Sequence, residues 1–122
     1  MSPITPAICR EDGVTVIALG PEYENLDEPL LDHLRGVLLD AASTADPPLV
    51  VLDLSHTKFF GSAFIEILFR LSNRLKSRAG QFALCGLTPY CAEVLSITHL
   101  DTIWPIFSNR AEAVRGLQLP SA

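Results

Sequence analysis

Short apolar runs alternate with longer amphipathic segments along most of the chain, and the two periodicities predict strands and helices in turn. Leu49 to Leu54 is apolar except for Asp53, which is the pattern of a strand covered on both faces of a sheet. The amphipathic segment that follows begins at Ser62 and repeats apolar side chains at helical spacing. These are Phe64, Leu68, Leu71 and Leu75. Because serine favours helix N-caps, we expect Ser62 to lie on an exposed turn above the sheet.

The segment before this strand predicts an antiparallel hairpin followed by a helix. Ile4 to Arg10 and Val14 to Leu19 are strand-favouring runs joined by Glu11-Asp12-Gly13, and an Asp-Gly turn between two such runs is a hairpin signal. Leucines at positions 26, 30, 34 and 38 then predict an amphipathic helix. This helix should end before Asp46-Pro47-Pro48.

The second half of the chain continues the alternation. Phe82 to Cys85 predicts a short strand, and Tyr90 to Ile97 predicts a short helix after a turn at Gly86 to Pro89. Ile103 to Phe107 predicts the last strand, and its proline favours an edge position in the sheet.

A final helix is predicted from Arg110 to about Leu117, with Ser108 or Asn109 as its N-cap. Strands and helices thus alternate after the hairpin. The predicted fold class is therefore α/β, with a small mixed, mostly parallel sheet and right-handed crossovers between its strands.

Composition narrows the possible functions. A chain of 122 residues, 48% of them hydrophobic, suits one core, so we expect a single domain over residues 1–122. Nine Lys and Arg residues stand against fourteen Asp and Glu residues, giving a formal charge of -5, and this argues against nucleic acid or an anionic membrane as a partner. No run approaches eighteen apolar residues, so a cytoplasmic protein is expected.

Catalysis has little support in the sequence. Ser62 could be a hydrolase nucleophile served by Asp53 and His56, but a nucleophile elbow requires G-x-S-x-G, and Phe60 and Phe64 occupy its glycine positions. Asp53 and His56 also follow one another too closely to hold an imidazole between acid and nucleophile. We therefore expect no enzyme activity.

Cofactor motifs are also missing. The sequence contains neither GxxxxGK[ST] nor GxGxxG, so no nucleotide cofactor is expected. Cys9, Cys85 and Cys91 form no CxxC pair, and reduced thiols are the simplest interpretation. A metal site built from Cys85, Cys91 and His99 would lack a fourth ligand, so no metal is expected.

At this point the residues resemble a known family. The run VVLDLSHTKFFGSAFIEIL resembles the central segment of STAS domains, a group named after sulfate transporters and bacterial anti-sigma factor antagonists, in which a VVLDLS-type strand leads to an Asp-Ser-x-Gly loop and a helix. The run KSRAGQFALCGLTPYCAEVLSITHLDTIWPIF is similar to the family's second half, where a G-x-x-P turn opens a helix. The resemblance spans residues 12 to 117 and implies a bacterial regulatory protein that binds partners.

The resemblance also implies a site. In stand-alone antagonists, the serine that matches Ser62 is phosphorylated by a serine kinase that doubles as the anti-sigma factor, and a phosphatase is a further candidate partner. Unmodified Ser62 would then mean binding, and phosphorylated Ser62 release. The implied partner-binding residues surround this serine. They are Glu22, Tyr23, Glu24, Thr57, Lys58, Phe60, Gly61, Ala63 and Phe64.

Two alternatives remain open. Gly61 stands where the family has an acidic residue, so Ser62 could serve only as a helix cap. The chain would then be a non-phosphorylated STAS scaffold, or a ligand-binding subunit of a signalling or transport assembly. Likewise Phe59, Phe60 and Phe64 could belong to the core or to a partner surface. The sequence leaves the oligomeric state open.

Overall fold

The computed structural model describes residues 6–26 and 28–118, and within them strands and helices alternate as predicted. The strands are β1 (Ala7–Glu11), β2 (Val14–Ala18), β3 (Leu49–Asp53), β4 (Gln81–Cys85) and β5 (Ile106–Phe107). The helices are α1 (Glu28–Thr44), α2 (Ser62–Lys76), α3 (Pro89–Ile97) and α4 (Arg110–Gln118). The predicted start of the first strand at Ile4 lies outside the described residues.

The strands form one sheet in the order β1-β2-β3-β4-β5. β1 and β2 pair antiparallel, whereas β2, β3, β4 and β5 pair in parallel, so the prediction of a mixed, mostly parallel sheet is confirmed. Asp12 and Gly13 join β1 to β2 with φ of 52° and 85°. Positive φ at both positions is the geometry that favours Asp-Gly in a hairpin turn.

The last strand is shorter than predicted. Ile103 follows a single 3-10 turn at Leu100–Thr102, and pairing with β4 begins only after Pro105. The carbonyl of Pro105 accepts a hydrogen bond from the N–H of Leu84 at 3.0 Å. Proline has no N–H of its own to donate, so the strand proper starts at Ile106, and β5 lies at the sheet edge as predicted.

Alternate side chains of the central strand enter two different cores. Val50 and Leu52 face α1, α2 and α3, where most of the large apolar side chains are buried. Val51 faces the other side, where α4 contributes Ala113 and Leu117. This period of two explains why β3 is apolar almost throughout, since both faces of the strand are covered.

The N-cap of α4 is Asn109 rather than Ser108. Its Oδ1 accepts a hydrogen bond from the N–H of Glu112 at 2.9 Å, while the Glu112 carboxylate receives the N–H of Ser108 at 3.4 Å. Both bonds satisfy N–H groups at or beside the start of the helix.

Replacing this cap should loosen α4. We expect Asn109→Ala to lower the free energy of unfolding by about 1 kcal/mol, because the N–H of Glu112 loses its acceptor. Ser108→Ala is the matched control, since the Ser108 contact uses only its main chain, and its effect should stay within about 0.5 kcal/mol. Urea titration of both variants measures the difference, and equal effects would contradict the assigned cap.

Candidate partner-binding site

Three loops meet where the parallel strands end. They are the loop after β2 (residues 19–26), the loop after β3 (residues 54–61, here the central loop) and the turn after β4 (residues 86–88). In open α/β sheets, the carboxyl ends of parallel strands share one edge, and loops that carry function collect there. The central loop lies between the other two and leads into α2.

Thr57 fixes the central loop from a position with no solvent exposure. Its hydroxyl donates to the carbonyl of Tyr23 at 3.0 Å, and its N–H donates to the carbonyl of Leu54 at 3.0 Å. Its own carbonyl accepts from the Thr88 hydroxyl at 3.1 Å and from the Cys91 thiol at 3.5 Å. One residue therefore ties the central loop to both neighbouring loops and to α3.

The main chain beyond Thr57 is also held. The N–H groups of Lys58 and Phe59 both donate to the carbonyl of Glu24, at 2.9 and 3.2 Å, and the Phe59 carbonyl accepts from the N–H of Leu26 at 3.3 Å. The Lys58 ammonium lies 3.6 Å from the Glu24 carboxylate, but both side chains are exposed, so this ion pair adds little stability. The backbone bonds give the loop its shape.

The N-cap of α2 is Gly61, and Ser62 is the first helical residue. The Gly61 carbonyl accepts the first helical hydrogen bonds, from the N–H groups of Phe64 and Ile65 at 3.1 and 3.3 Å. The expectation that Ser62 caps the helix is therefore wrong, because the turn into α2 comes one residue earlier. Ser62 is exposed, and its hydroxyl lies in the first turn of the helix.

The electrostatics of this helix favour an anion at Ser62. The first turn of α2 contains no acidic side chain, while Arg74 and Lys76 lie in its last turn. The first N–H groups of a helix have no intrahelical acceptor and carry partial positive charge. A negative group on Ser62 would therefore meet a favourable field.

The structure divides the predicted partner-binding residues into two groups. Glu22, Glu24, Lys58 and Ala63 are exposed, and Gly61 is partly exposed. The other four are buried, so the expectation that their side chains contact a partner needs correction: they pack beneath the loops instead. They are Tyr23, Thr57, Phe60 and Phe64.

Three of these four buried residues are aromatic. Phe60 and Phe64 lie in the main core with ring centroids 5.2 Å apart, because the turn into α2 directs both rings toward the sheet. Tyr23 is buried as well, and this burial, with the charge of Glu22, raises the pKa of its hydroxyl. The three aromatic side chains therefore support the loops from the core side.

Two exposed rings form a surface feature that the sequence predicts only in part: Phe59 is among the candidates for a partner surface, whereas Tyr90 is not. Phe59 and Tyr90 stack with centroids 5.7 Å apart and planes inclined by 27°, and they are 48% and 49% exposed. The other two candidates, Phe60 and Phe64, are buried, and Tyr90 precedes the buried Cys91 in a short helix. The sequence signal for this exposed pair was Phe59, an aromatic residue that follows Lys58 in a polar loop.

Asp53 supports the start of the central loop. Its Oδ1 accepts hydrogen bonds from the N–H of Ser55, at 3.0 Å, and from the Ser55 hydroxyl, while its Oδ2 receives Arg110 at 3.2 Å. Gly86 has φ of 69°, and a side chain there would collide with Ser55 and Asp53. Asp53 is thus occupied by structural bonds, and His56 is exposed to solvent.

The two buried cysteines near this edge of the sheet, Cys85 and Cys91, are not activated as nucleophiles. Burial, followed by the charge of Asp53, raises the pKa of Cys85 to about 12. Burial also raises the pKa of Cys91, although the Thr88 hydroxyl opposes this shift. Both buried thiols therefore stay protonated near neutral pH. Within residues 6–26 and 28–118, no group of three or more His, Cys, Asp or Glu side chains is placed to hold a metal ion.

This geometry describes a small α/β domain in which three loops, held to one another by hydrogen bonds, face solvent at one edge of the sheet. The family model described as "STAS domain" matches residues 11–113, and the chain belongs to this family. Over 109 residues it is 25% identical to the anti-sigma F factor antagonist of Paenibacillus polymyxa, covering 89% of this chain and 91% of that protein.

Solved structures agree with this assignment. The structure of an anti-sigma-factor antagonist (STAS) domain protein from Planctomyces limnophilus gives a TM-score of 0.89 at 38% identity, and covers 95% of this chain and 100% of that one. The Bacillus cell fate determinant SpoIIAA in its phosphorylated form gives 0.68 at 16% identity, covering 93% and 100%, and so shows a shared fold. The chain is an STAS protein of the anti-sigma factor antagonist type, and proteins of this type are regulatory binding proteins rather than enzymes.

No helix among the described residues is both long enough and apolar enough to cross a lipid bilayer.

The role of Thr57 can be tested by an isosteric substitution. We expect Thr57→Val to lower the free energy of unfolding by about 1–3 kcal/mol, because the buried hydrogen bond from the Thr57 hydroxyl to the Tyr23 carbonyl would be lost. Thr102→Val is the matched control: that hydroxyl also donates to a main-chain carbonyl, at 2.7 Å, but in an exposed position where water can replace it. Urea unfolding compares the two variants. Equal losses in the free energy of unfolding would contradict the conclusion that the buried Thr57 bonds hold the loops together.

Proposed function

We propose that this protein binds an anti-sigma factor that is also a serine kinase, and that phosphorylation of Ser62 ends this binding. The observation that carries the proposal is the position of Ser62. It is exposed in the first turn of α2, it is not the helix cap, and it follows a loop held by Thr57. A kinase can reach such a hydroxyl without unfolding the domain.

The physical effect of a phosphate differs between the free protein and a complex. A phosphoserine adds a charge of about -1.5 to -2, which the N-terminus of α2 would stabilise in the free domain. In a docked complex the same dianion would lose water, and desolvating it without a cationic partner costs several kcal/mol. Because each 1.4 kcal/mol changes affinity about tenfold, one phosphate is enough to release a partner.

Gly61, the residue before Ser62, affects how well the domain could accommodate a phosphate on Ser62. Its φ of -116° is open to any residue, and a side chain added there would meet nothing within 4 Å. The fold therefore does not require glycine where the family has an acidic residue. Without a carboxylate at position 61, the phosphate on Ser62 would meet no like charge from the cap, which favours accommodation of the modified state.

A charge at position 62 should stabilise the free domain. We expect Ser62→Glu to have a free energy of unfolding about 0.3–1 kcal/mol higher than its neutral isostere Ser62→Gln, because the carboxylate interacts with the positive end of α2. The difference should shrink at high salt, since the site is exposed. Thermal or urea unfolding measures it. A less stable Ser62→Glu would argue that a phosphate disrupts the fold.

Phosphorylation itself is tested with the candidate serine kinase and ATP. We expect mass spectrometry to find a phosphate on Ser62 of the wild-type protein, none on Ser62→Ala, and an unchanged result for Ser96→Ala, an exposed serine on α3. Unmodified protein should bind the kinase, and phosphorylated protein should elute free of it.

A kinase that leaves Ser62 unmodified would contradict the proposed switch. If the kinase modifies a control antagonist but leaves Ser62 unmodified, the switch is excluded. The replacement of the family's acidic residue by Gly61 would then favour the second candidate, a non-switching scaffold or ligand-binding subunit of a signalling or transport assembly. A phosphatase that restores binding after phosphorylation would support the first candidate.

A further inference from the structure

The outer edge of β1 is open. β1 is the first strand in the order of the sheet, and among the described strands it pairs only with β2. Four of its five residues, those from Ala7 to Arg10, are exposed, and Ile8 is 48% exposed. Edge strands are commonly protected by lysine, proline or a bulge, and β1 contains none of these.

The hairpin turn determines which main-chain groups face this open edge. Asp12-Gly13 is a two-residue turn, so the residues that flank it form the hydrogen-bonded pair that closes the hairpin. Hydrogen-bonded and non-hydrogen-bonded pairs then alternate along antiparallel strands. Cys9 therefore shares its hydrogen bonds with β2, while the N–H and C=O groups of Ile8 and Arg10 point outward. Within the described part of the chain, these outward groups have no main-chain partner.

A second copy of this chain fits the open edge in one register. β1 is five residues long and centred on Cys9, so a two-fold axis at Cys9 pairs the whole strand with itself in the antiparallel sense. Ile8 then lies opposite Arg10 of the other copy, and each such pair exchanges two hydrogen bonds through its outward groups. The neighbouring registers would place Arg10 opposite Arg10, which is repulsive, or opposite Pro6, which has no N–H.

The side chains beside this edge are complementary to those of a second copy. A groove of about 390 Å³ lies between β1 and α1, and it is lined in part by Ile8, Arg10, Asp40 and Asp46. Neither aspartate forms an ion pair with a described cation, and the Arg10 guanidinium donates only to the main-chain carbonyl of Asp46. In the paired strands, Arg10 of the second copy lies across from Ile8 and therefore beside these carboxylates. The two Ile8 side chains become diagonal neighbours across the axis.

We propose that two copies of this protein associate through β1 and form one continuous sheet. Pairing of two five-residue strands is smaller than a standard protein interface, so the dimer should be weak and reversible. The parallel strands of the two copies run in opposite directions, and the two Ser62 surfaces lie at opposite ends of the joined sheet. Each surface stays accessible, and the dimer does not depend on the function proposed above.

Cys9 reports the register directly. Non-hydrogen-bonded partners have Cα atoms about 4.5 Å apart, which is within the range of a disulfide. The other two thiols, of Cys85 and Cys91, are buried. We expect diamide, which oxidises two thiols to a disulfide and takes up both hydrogens, to convert the native protein to a covalent dimer. Peptide mass spectrometry should find the bond between two Cys9 residues, and Cys9→Ser should give no covalent dimer.

Moving the cysteine by one position is the matched control. In a protein carrying both Ile8→Cys and Cys9→Ser, the two thiols belong to diagonal neighbours, whose Cα atoms are about 7–8 Å apart. That separation exceeds the reach of a disulfide, so we expect the covalent dimer to form at least about tenfold more slowly. Random collision of two exposed thiols would instead give similar rates for both proteins.

Sedimentation in reducing buffer measures the dimer without the disulfide. We expect a monomer–dimer equilibrium with a Kd on the order of 0.1 mM. Arg10→Glu should weaken the dimer at least about fivefold, because a carboxylate would replace the cation beside Asp40 and Asp46. Lys76→Glu makes the same change of charge at an exposed position on α2 and should leave the dimer unchanged. Arg10 is exposed, so its variant should fold normally.

Three results would overturn the proposal. They are a protein that stays monomeric at about 1 mM, equal cross-linking rates at positions 8 and 9, and a dimer that Arg10→Glu does not weaken. A dimer with either of the last two properties would use a different surface.

Discussion

Thr57 makes four hydrogen bonds from a fully buried position, and the arrangement of the loops at this edge of the sheet depends on them. A buried hydroxyl and a buried carbonyl are costly unless paired, and here each partner belongs to a different segment of the chain. The bonds are therefore satisfied only when the loops after β2 and β3 and the start of α3 adopt one arrangement. Ser62 owes its position to this constraint, since it follows the central loop directly.

The sheet brings the loops that Thr57 joins to the same edge of the molecule. Parallel pairing of β2, β3 and β4 brings three strand ends to one edge, and main-chain bonds such as those to Glu24 link the loops that follow. Asp53 and Arg110 connect the same edge to α4 on the second face of the sheet. Both faces of the sheet therefore contribute to the support of a single surface.

Much of the fold could be predicted from the sequence because its signals are local. Asp12-Gly13 indicates a hairpin, the unbroken run at Leu49 to Leu54 indicates a covered strand, and leucine spacing indicates α1. The strand predicted from Ile103 to Phe107 was shorter in the structure, because strand pairing depends on neighbours distant in sequence. The cap of α2 was misplaced by one residue for a similar reason: serine is the better intrinsic cap, but the glycine before it makes the turn.

The candidate site was predictable in location and less so in composition. Ser62 lies at the expected turn, yet Tyr23, Phe60 and Phe64 are buried and Phe59 and Tyr90 form the exposed aromatic pair. Which way an aromatic residue points is decided by tertiary packing, and in a short loop no periodicity reveals it. The sequence places Thr57 among the partner-binding residues, whereas in the structure it forms hydrogen bonds to the main chain of residues 23 and 54 and accepts bonds from two side chains, and no sequence pattern identifies these bonds.

The fixed conformation of the central loop has a consequence for how fast and how tightly a partner could associate. A loop already fixed by its own hydrogen bonds loses little conformational entropy when another protein docks on it. Association would then need no slow rearrangement of this chain, and the lifetime of a complex would be set by the contacts made at the surface. A modification at such a surface can act on that lifetime without any change in the shape of the domain beneath it.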